Sequence, residues 1–217
     1  EAVLTSQADL GLAFDGEADR LVAIASDGAT IDGDRQLCLF AKDLAQRAQL
    51  PNRHVVITEM SNQGLREALH LAEISTIEVP VGDRNILTEL DAGRATLGGE
   101  QSGHIIFWDH ATTGDGMLSG ALLADLIIRA ERSSAELARD AMRQFPQALI
   151  NVPVNEQTSE LPAKVQEVIQ GAEDRIANHG RVLVRPSGTE AVIRVMVEAS
   201  EERLAQMEAQ RLASLIQ

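Results

Sequence analysis

The chain carries a single cysteine in 217 residues, so no internal disulfide can form and a reducing compartment suits it. That residue, Cys38, sits in the apolar run Leu37-Cys38-Leu39-Phe40, which reads as core and not as a nucleophile's surroundings. No stretch approaches the roughly 18 apolar residues of a membrane span, and no signal peptide stands in the sequence. Basic residues are few: 19 against 33 acidic ones give a net charge of −14 and a pI near 4.7. With no basic patch to displace counterions, nucleic acid is excluded as a partner. Neither a Gly-x-Gly-x-x-Gly turn nor a P-loop lysine is present, so nucleotide binding has no support. No Cys/His cluster has zinc spacing. His54, His70, His110 and His179 fall at element edges and read as surface or capping residues. The expectation is a cytoplasmic globular protein, and the sequence carries no internal repeat.

What is present begins with Asp15-Gly16-Glu17-Ala18-Asp19-Arg20, set between the apolar segments Leu10 to Phe14 and Leu21 to Ile24. Three carboxylates at alternate positions of a tight turn repel one another unless a cation holds them, and a hard cation prefers such oxygen ligands. An EF-hand requires Gly at its sixth place and Glu at its twelfth, where this chain has Arg20 and Ser26. Arg20 adds a fixed cation beside the metal, a combination suited to a phosphorylated ligand. The plain alternative is solvated charge between two strands.

Two further clusters point the same way. Arg185-Pro186-Ser187-Gly188-Thr189-Glu190 lies between two apolar strands and offers two hydroxyls, free backbone N–H groups and a guanidinium fork that matches phosphate oxygens. Arg194, on the following strand, is placed to supply a second fork. An ordinary Pro/Ser/Gly hairpin turn would look similar. In Gly98-Gly99-Glu100-Gln101-Ser102-Gly103-His104, the residues Glu100, Ser102 and His104 alternate, so an extended loop puts them on one side, toward ring hydroxyls.

Strand-like and helix-period segments alternate as far as about residue 146. Strands are expected at 11–14, 21–25, 54–58, 75–79 and 104–108, and helices at 34–48, 62–72, 84–92, 116–130 and 135–143. Ser133 caps the last of these, and Asp27-Gly28 is assigned to a hairpin turn joining the first two strands. Helices of this length between strands imply crossover units and a mixed, mostly parallel α/β sheet domain. A boundary near Phe145-Pro146 leads to a small α+β phosphate-binding domain: strand 148–154, helix 161–179, strands 181–185 and 191–199, helix 201–215.

Together the three clusters resemble those of the α-D-phosphohexomutase superfamily, most closely the bacterial phosphoglucosamine mutases. Its metal loop, D-G-D-x-D-R, corresponds to Asp15–Arg20, its sugar loop, G-G-E-Q-S-G-H, to Gly98–His104, and its phosphate loop, R-P-S-G-T-E, to Arg185–Glu190. Gln101 stands where phosphomannomutase/phosphoglucomutase relatives tend to have Met. Similar stretches flank these loops: Met60-Ser61-Asn62, Val81-Gly82-Asp83-Arg84, Thr112-Thr113-Gly114-Asp115-Gly116 and Phe145-Pro146-Gln147. The resemblance implies Mg²⁺ on Asp15, Glu17 and Asp19, and catalytic roles for Arg20 and His104. It also implies contacts to a glucosamine phosphate from Glu100, Ser102, His104, Arg185, Ser187, Gly188, Thr189 and Arg194.

By the same resemblance, residues 1–30 end a second domain carrying the metal loop, 31–146 form a third domain with the sugar loop, and 147–217 form the fourth. The phosphoserine loop of the family's first domain, of T-A-S-H-N-P type, has no counterpart in this chain. The expectation is therefore a C-terminal half whose partner is the N-terminal part of the same enzyme, and which is inactive alone. Glu17 departs from the family's middle Asp, Ala191 from a usual Pro and Asn85 from a frequent Tyr. Two other readings stay open: a phosphomannomutase/phosphoglucomutase, and a non-catalytic phosphosugar-binding module.

Overall fold

The structure, a computed structural model, describes residues 1–154, 161, 163–176, 180–187 and 191–216. The chain divides into two compact units, Glu1–Arg143 and Gln144–Gln217.

In the first unit a short helix, α1 (Ala2–Ser6), precedes a three-stranded antiparallel sheet of β1 (Leu10–Phe14), β2 (Leu21–Ala25) and β3 (Thr30–Ile31). Asp27-Gly28 does form a hairpin turn, but between β2 and β3, not between the first two strands. Gly28 takes φ 87° there, and the Asp27 carboxylate accepts from the Ala29 N–H. The link from β1 to β2 is the acidic turn itself.

A second, four-stranded sheet has the order β5-β4-β6-β7, built from β4 (His54–Thr58), β5 (Ser75–Val79), β6 (Leu97–Gly99) and β7 (Ile105–Phe107). β4 runs parallel to β5 and β6, and β6 pairs antiparallel with β7. Helices α2 (Gly33–Gln46), α3 (Gln63–Leu71), α4 (Asp83–Asp91), α5 (Gly116–Ala130) and α6 (Ser134–Ala141) complete the unit. Val55 and Ile57 of β4 enter the main core with Leu37, Phe40 and Leu123, while Val56 packs on the opposite face with Ile86 and Leu90. Burial on both faces explains why β4 is an unbroken apolar run with no alternation. Phe40 meets Phe107 edge-on in that core, ring centroids 4.9 Å apart.

The second unit is an antiparallel sheet of order β8-β10-β9, made of β8 (Gln147–Pro153), β9 (Gly180–Pro186) and β10 (Val192–Ala199). Helices α7 (Ala163–Ile176) and α8 (Glu202–Ile216) contribute Val165, Ala172, Ala205 and Leu212 to its core. Ile193, Val195 and Val197 of β10 join that core. Successive side chains on a strand alternate faces, which turns Arg194, Met196 and Glu198 to the other side. Glu198 is fully buried there, accepting from Arg181 Nε at 2.6 Å and Gln147 Nε2 at 3.2 Å.

Candidate functional site

The acidic turn and the 98–104 loop meet in the first unit. Arg20 and His104 form an isolated backbone bridge, and the Leu21 N–H donates to Gly103 O at 3.1 Å. Gly103 has φ 92°, and a Cβ there would fall on the Leu21 carbonyl, so glycine permits both the conformation and the approach. This junction sets Asp19 beside a buried imidazole: His104 Nδ1 lies 3.1 Å from Asp19 Oδ2. A carboxylate only accepts, so Nδ1 carries the proton. Partial burial pushes the Asp19 carboxyl up, but contact with the Asp15 side chain and the hydrogen bond and charge of His104 outweigh it, holding Asp19 below its ordinary value. His104 Nε2 is buried with no hydrogen-bond partner among the described residues. Gly114, just before α5, presses on the ring, and any Cβ there would strike it.

Asp15 faces Arg20, whose backbone N–H reaches Asp15 Oδ1 at 3.4 Å and whose Nε lies 3.9 Å from Oδ2. Glu17 stands in the exposed part of the turn. No group of three His, Cys, Asp or Glu is prearranged as a metal cluster among the described residues. The donors nonetheless fit a hard cation in kind: all three are carboxylates, and Asp15 and Asp19 already approach each other. Glu17, exposed and one methylene longer, would have to move inward to join them.

In the 98–104 loop, Glu100 Oε1 accepts from the Gly82 N–H at 3.0 Å, and its Oε2 from Ser102 Oγ at 3.3 Å. The loop is thereby tied to the start of α4, a link sequence reasoning missed. Gly82, with φ 124°, is itself the residue before the first turn of α4, and a glycine just ahead of an acidic helix start was the available signal.

In the second unit, Arg185 of β9 lies directly opposite Arg194 of β10. Ser187 is buried, and its N–H donates to Val192 O at 2.9 Å. Gly188 and Thr189 lie outside the described residues, as does His179. No described helix is long and apolar enough to cross a membrane.

The phosphoglucomutase/phosphomannomutase alpha/beta/alpha domain III model matches residues 32–145, and that family's C-terminal domain model matches residues 149–214. The phosphoglucosamine mutase of Shouchella clausii is 45% identical over 215 residues, which are 99% of this chain and 48% of that protein. The phosphoglucosamine mutase of Corynebacterium efficiens is 47% identical over 216 residues, again 99% and 48%. The chain thus spans about half the length of the curated relatives it matches. Among solved structures, Aspergillus fumigatus N-acetylphosphoglucosamine mutase in complex with GlcNAc-6P and magnesium superposes with a TM-score of 0.80 at 23% identity, covering 94% of this chain and 48% of that one. A Burkholderia thailandensis phosphoglucomutase/phosphomannomutase family protein gives 0.77 at 22% identity, covering 99% and 48%. At these identities the structures speak for the fold, a mixed α/β one. On the family matches, the chain belongs to the phosphoglucomutase/phosphomannomutase family.

Proposed function

We propose that this chain is the C-terminal half of a phosphoglucosamine mutase, which interconverts glucosamine 6-phosphate and glucosamine 1-phosphate through a phosphoserine and a bisphosphate intermediate. The product serves amino-sugar and peptidoglycan precursor synthesis. In this reading residues 1–30 end the enzyme's second domain, 31–146 are its third and 147–217 its fourth. The observation that carries the proposal is the junction of the acidic turn with the 98–104 loop, where Arg20 bridges His104 and Asp19 contacts its ring. On this reading, that junction brings the carboxylates that would bind a cation beside the loop whose polar groups would grip a sugar.

Asp15, Glu17 and Asp19 would hold Mg²⁺. Held by these carboxylates, such a cation would supply charge neutralisation to the transferring phosphoryl group, the main term in such reactions. Arg20 stands at the same place with a permanent positive charge. Glu100, Ser102 and His104 hydrogen-bond ring hydroxyls in either orientation of the sugar. His104 has its Nδ1 proton committed to Asp19, while its buried Nε2 has no partner among the described residues. Arg185 and Arg194, with Ser187, Gly188 and Thr189, anchor the phosphate that is not reacting. The serine that carries the phosphoryl group belongs to the part of the enzyme outside this chain.

The test is a coupled assay of glucosamine 6-phosphate with a catalytic amount of the 1,6-bisphosphate, run on the protein at the full length of its relatives. Turnover to the 1-phosphate, exceeding that with glucose or mannose phosphates, is expected. A full-length protein that preferred either neutral sugar would move the assignment to the phosphomannomutase/phosphoglucomutase branch.

A further inference from the structure

Gln36 lies in the first turn of α2 and is fully buried. Its Nε2 donates to Leu21 O at 2.8 Å and to Ile31 O at 2.9 Å, while Oε1 has no partner among the described residues. An unsatisfied buried acceptor destabilises a core, so an apolar side chain of the same length would serve packing better. The amide is retained for its two donor bonds, and the carbonyls it takes are informative. Ile31 ties α2 to β3. Leu21 is the residue after Arg20 and the one whose N–H holds Gly103 of the other loop.

The same helical turn touches that other loop directly. The Gly33 N–H donates to Gln101 O at 3.1 Å, and a Cβ on Gly33 would fall on the Glu100 carbonyl. One turn of helix therefore contacts the 98–104 loop through Gly33 and, through Gln36, the first residue of β2, which directly follows the acidic turn. Neither residue reaches the acidic or sugar-facing side chains themselves.

We propose that Gln36, together with Gly33, sets the register between the acidic turn and the 98–104 loop, and through it the contact of Asp19 with His104. Gln36 is then a positioning residue, and its bearing on catalysis rests on the mutase reading, whereas the contact itself does not.

The contact is read in this chain by NMR, from the downfield proton of His104 Nδ1, which is visible only while hydrogen-bonded. The signal is expected in the parent and lost in Gln36→Met, which keeps side-chain length and removes both donors. It is also expected to be lost in Gly33→Ala, which pushes the loop away without touching β2. Leu65→Ala, which opens a cavity in α3, is the control for lost stability and keeps the signal. Persistence of the signal in Gln36→Met, or its equal loss in Leu65→Ala, overturns the proposal. Should Gln36→Met not fold, Gly33→Ala decides alone. In the full-length protein the same Gln36→Met change lowers kcat on the order of 100-fold with KM little altered, since small misplacements of reacting groups have effects of that size. A full-length parent without turnover counts against the mutase reading and leaves the imidazole result standing.

Discussion

Asp19 and His104, 85 positions apart in the chain, meet at 3.1 Å, and their contact joins the two loops that carry the candidate chemistry of the first unit. Neither loop would be a site without the other. The acidic turn alone is a cluster of repelling charges, and the 98–104 loop alone is a polar turn between β6 and β7.

The acidic turn is expected to bind Mg²⁺ or Mn²⁺ weakly. Asp15 and Asp19 already approach each other, but Glu17 is exposed and must reorganise before it can ligate. Mg²⁺ demands near-octahedral oxygens at short distance, and the longer Glu favours the more tolerant ion. Calorimetric titration of the chain should give heats that vanish in Asp15→Ala/Asp19→Ala. Identical traces for the parent and the double variant would falsify the assignment.

Arg185 carries the clearest prediction in the second unit. A charge-assisted contact of its fork with phosphate contributes about 1.5–3 kcal/mol. Lysine keeps the charge but lacks the planar fork, so Arg185→Lys in the full-length protein should raise KM for the sugar phosphate about tenfold or more, taking about 1.4 kcal/mol per factor of ten. An unchanged KM would remove the residue from the anchor. Arg194, opposite it in the sheet, should behave alike.

Much of the fold was legible because the local signals agree with the tertiary result. Helix α5 was expected at 116–130 and spans Gly116–Ala130, since Asp115 caps it and an apolar stretch follows. Strand β6 was not legible: Gly98-Gly99 reads as loop, yet both glycines are buried in the sheet. A Cβ at Gly98 would crowd Val56 and Ile86, so closeness of neighbours put glycine there and only the packed structure reveals it. The two-residue β3 and the short α1 carry too little pattern for any periodicity. At the site, the residue types were readable but their pairing was not, because long-range contact leaves no mark on local spacing. Gln36 sits in a segment that looks like ordinary helix, and Gly114, within a stretch marked by resemblance, gave no local sign that it leaves room for the His104 ring.

Helix α6 begins with a capping box: the Glu136 N–H donates to Ser133 Oγ at 3.2 Å, and Glu136 Oε2 accepts from the Ser133 N–H at 3.0 Å. Hydrogen bonds from the Ser133 side chain and then its backbone hold the Glu136 carboxyl below its ordinary value. A depressed folded-state value means the stabilisation is present above the unfolded pKa and is lost as pH falls through the folded one. Urea denaturation should find Glu136→Gln less stable than the parent at neutral pH, with the gap closing below about pH 4, near the ordinary carboxylate range. Ser133→Ala should cost about 1 kcal/mol. A gap that stays constant down to acid pH would show the box contributes nothing through charge.

Cys38 should behave as an inert thiol. It is fully buried on α2, its Sγ donating to Ala141 O at 3.1 Å. Burial pushes its pKa up, and the nearby Lys42 charge offsets this only in part. Because the thiolate is the reactive form, a disulfide exchange reagent should leave the native chain untouched and titrate one thiol after denaturation. Rapid native modification would mean that α2 and α6 separate in solution.

The last prediction concerns β1, the edge of its sheet. The Ala25 N–H donates to Ala29 O and the Leu21 N–H to Gly103 O, both away from β1. Antiparallel partners alternate between hydrogen-bonded and non-hydrogen-bonded pairs. The pairs Leu10–Ala25, Leu12–Ala23 and Phe14–Leu21 are therefore the non-bonded ones, and Gly11–Ile24 and Ala13–Val22 the bonded ones. It follows that the N–H groups of Leu12 and Phe14 point outward from the open edge, while those of Gly11 and Ala13 point into the sheet. Leu12 and Phe14 are also 40% and 43% exposed, and β1 carries no charge or proline that would blunt such an edge. Hydrogen exchange on this chain should then alternate along the strand, Leu12 and Phe14 exchanging fast and Gly11 and Ala13 slowly, with the whole strand less protected than β4 in the buried sheet. Uniform protection of all four amides would mean that another strand pairs with that edge in solution.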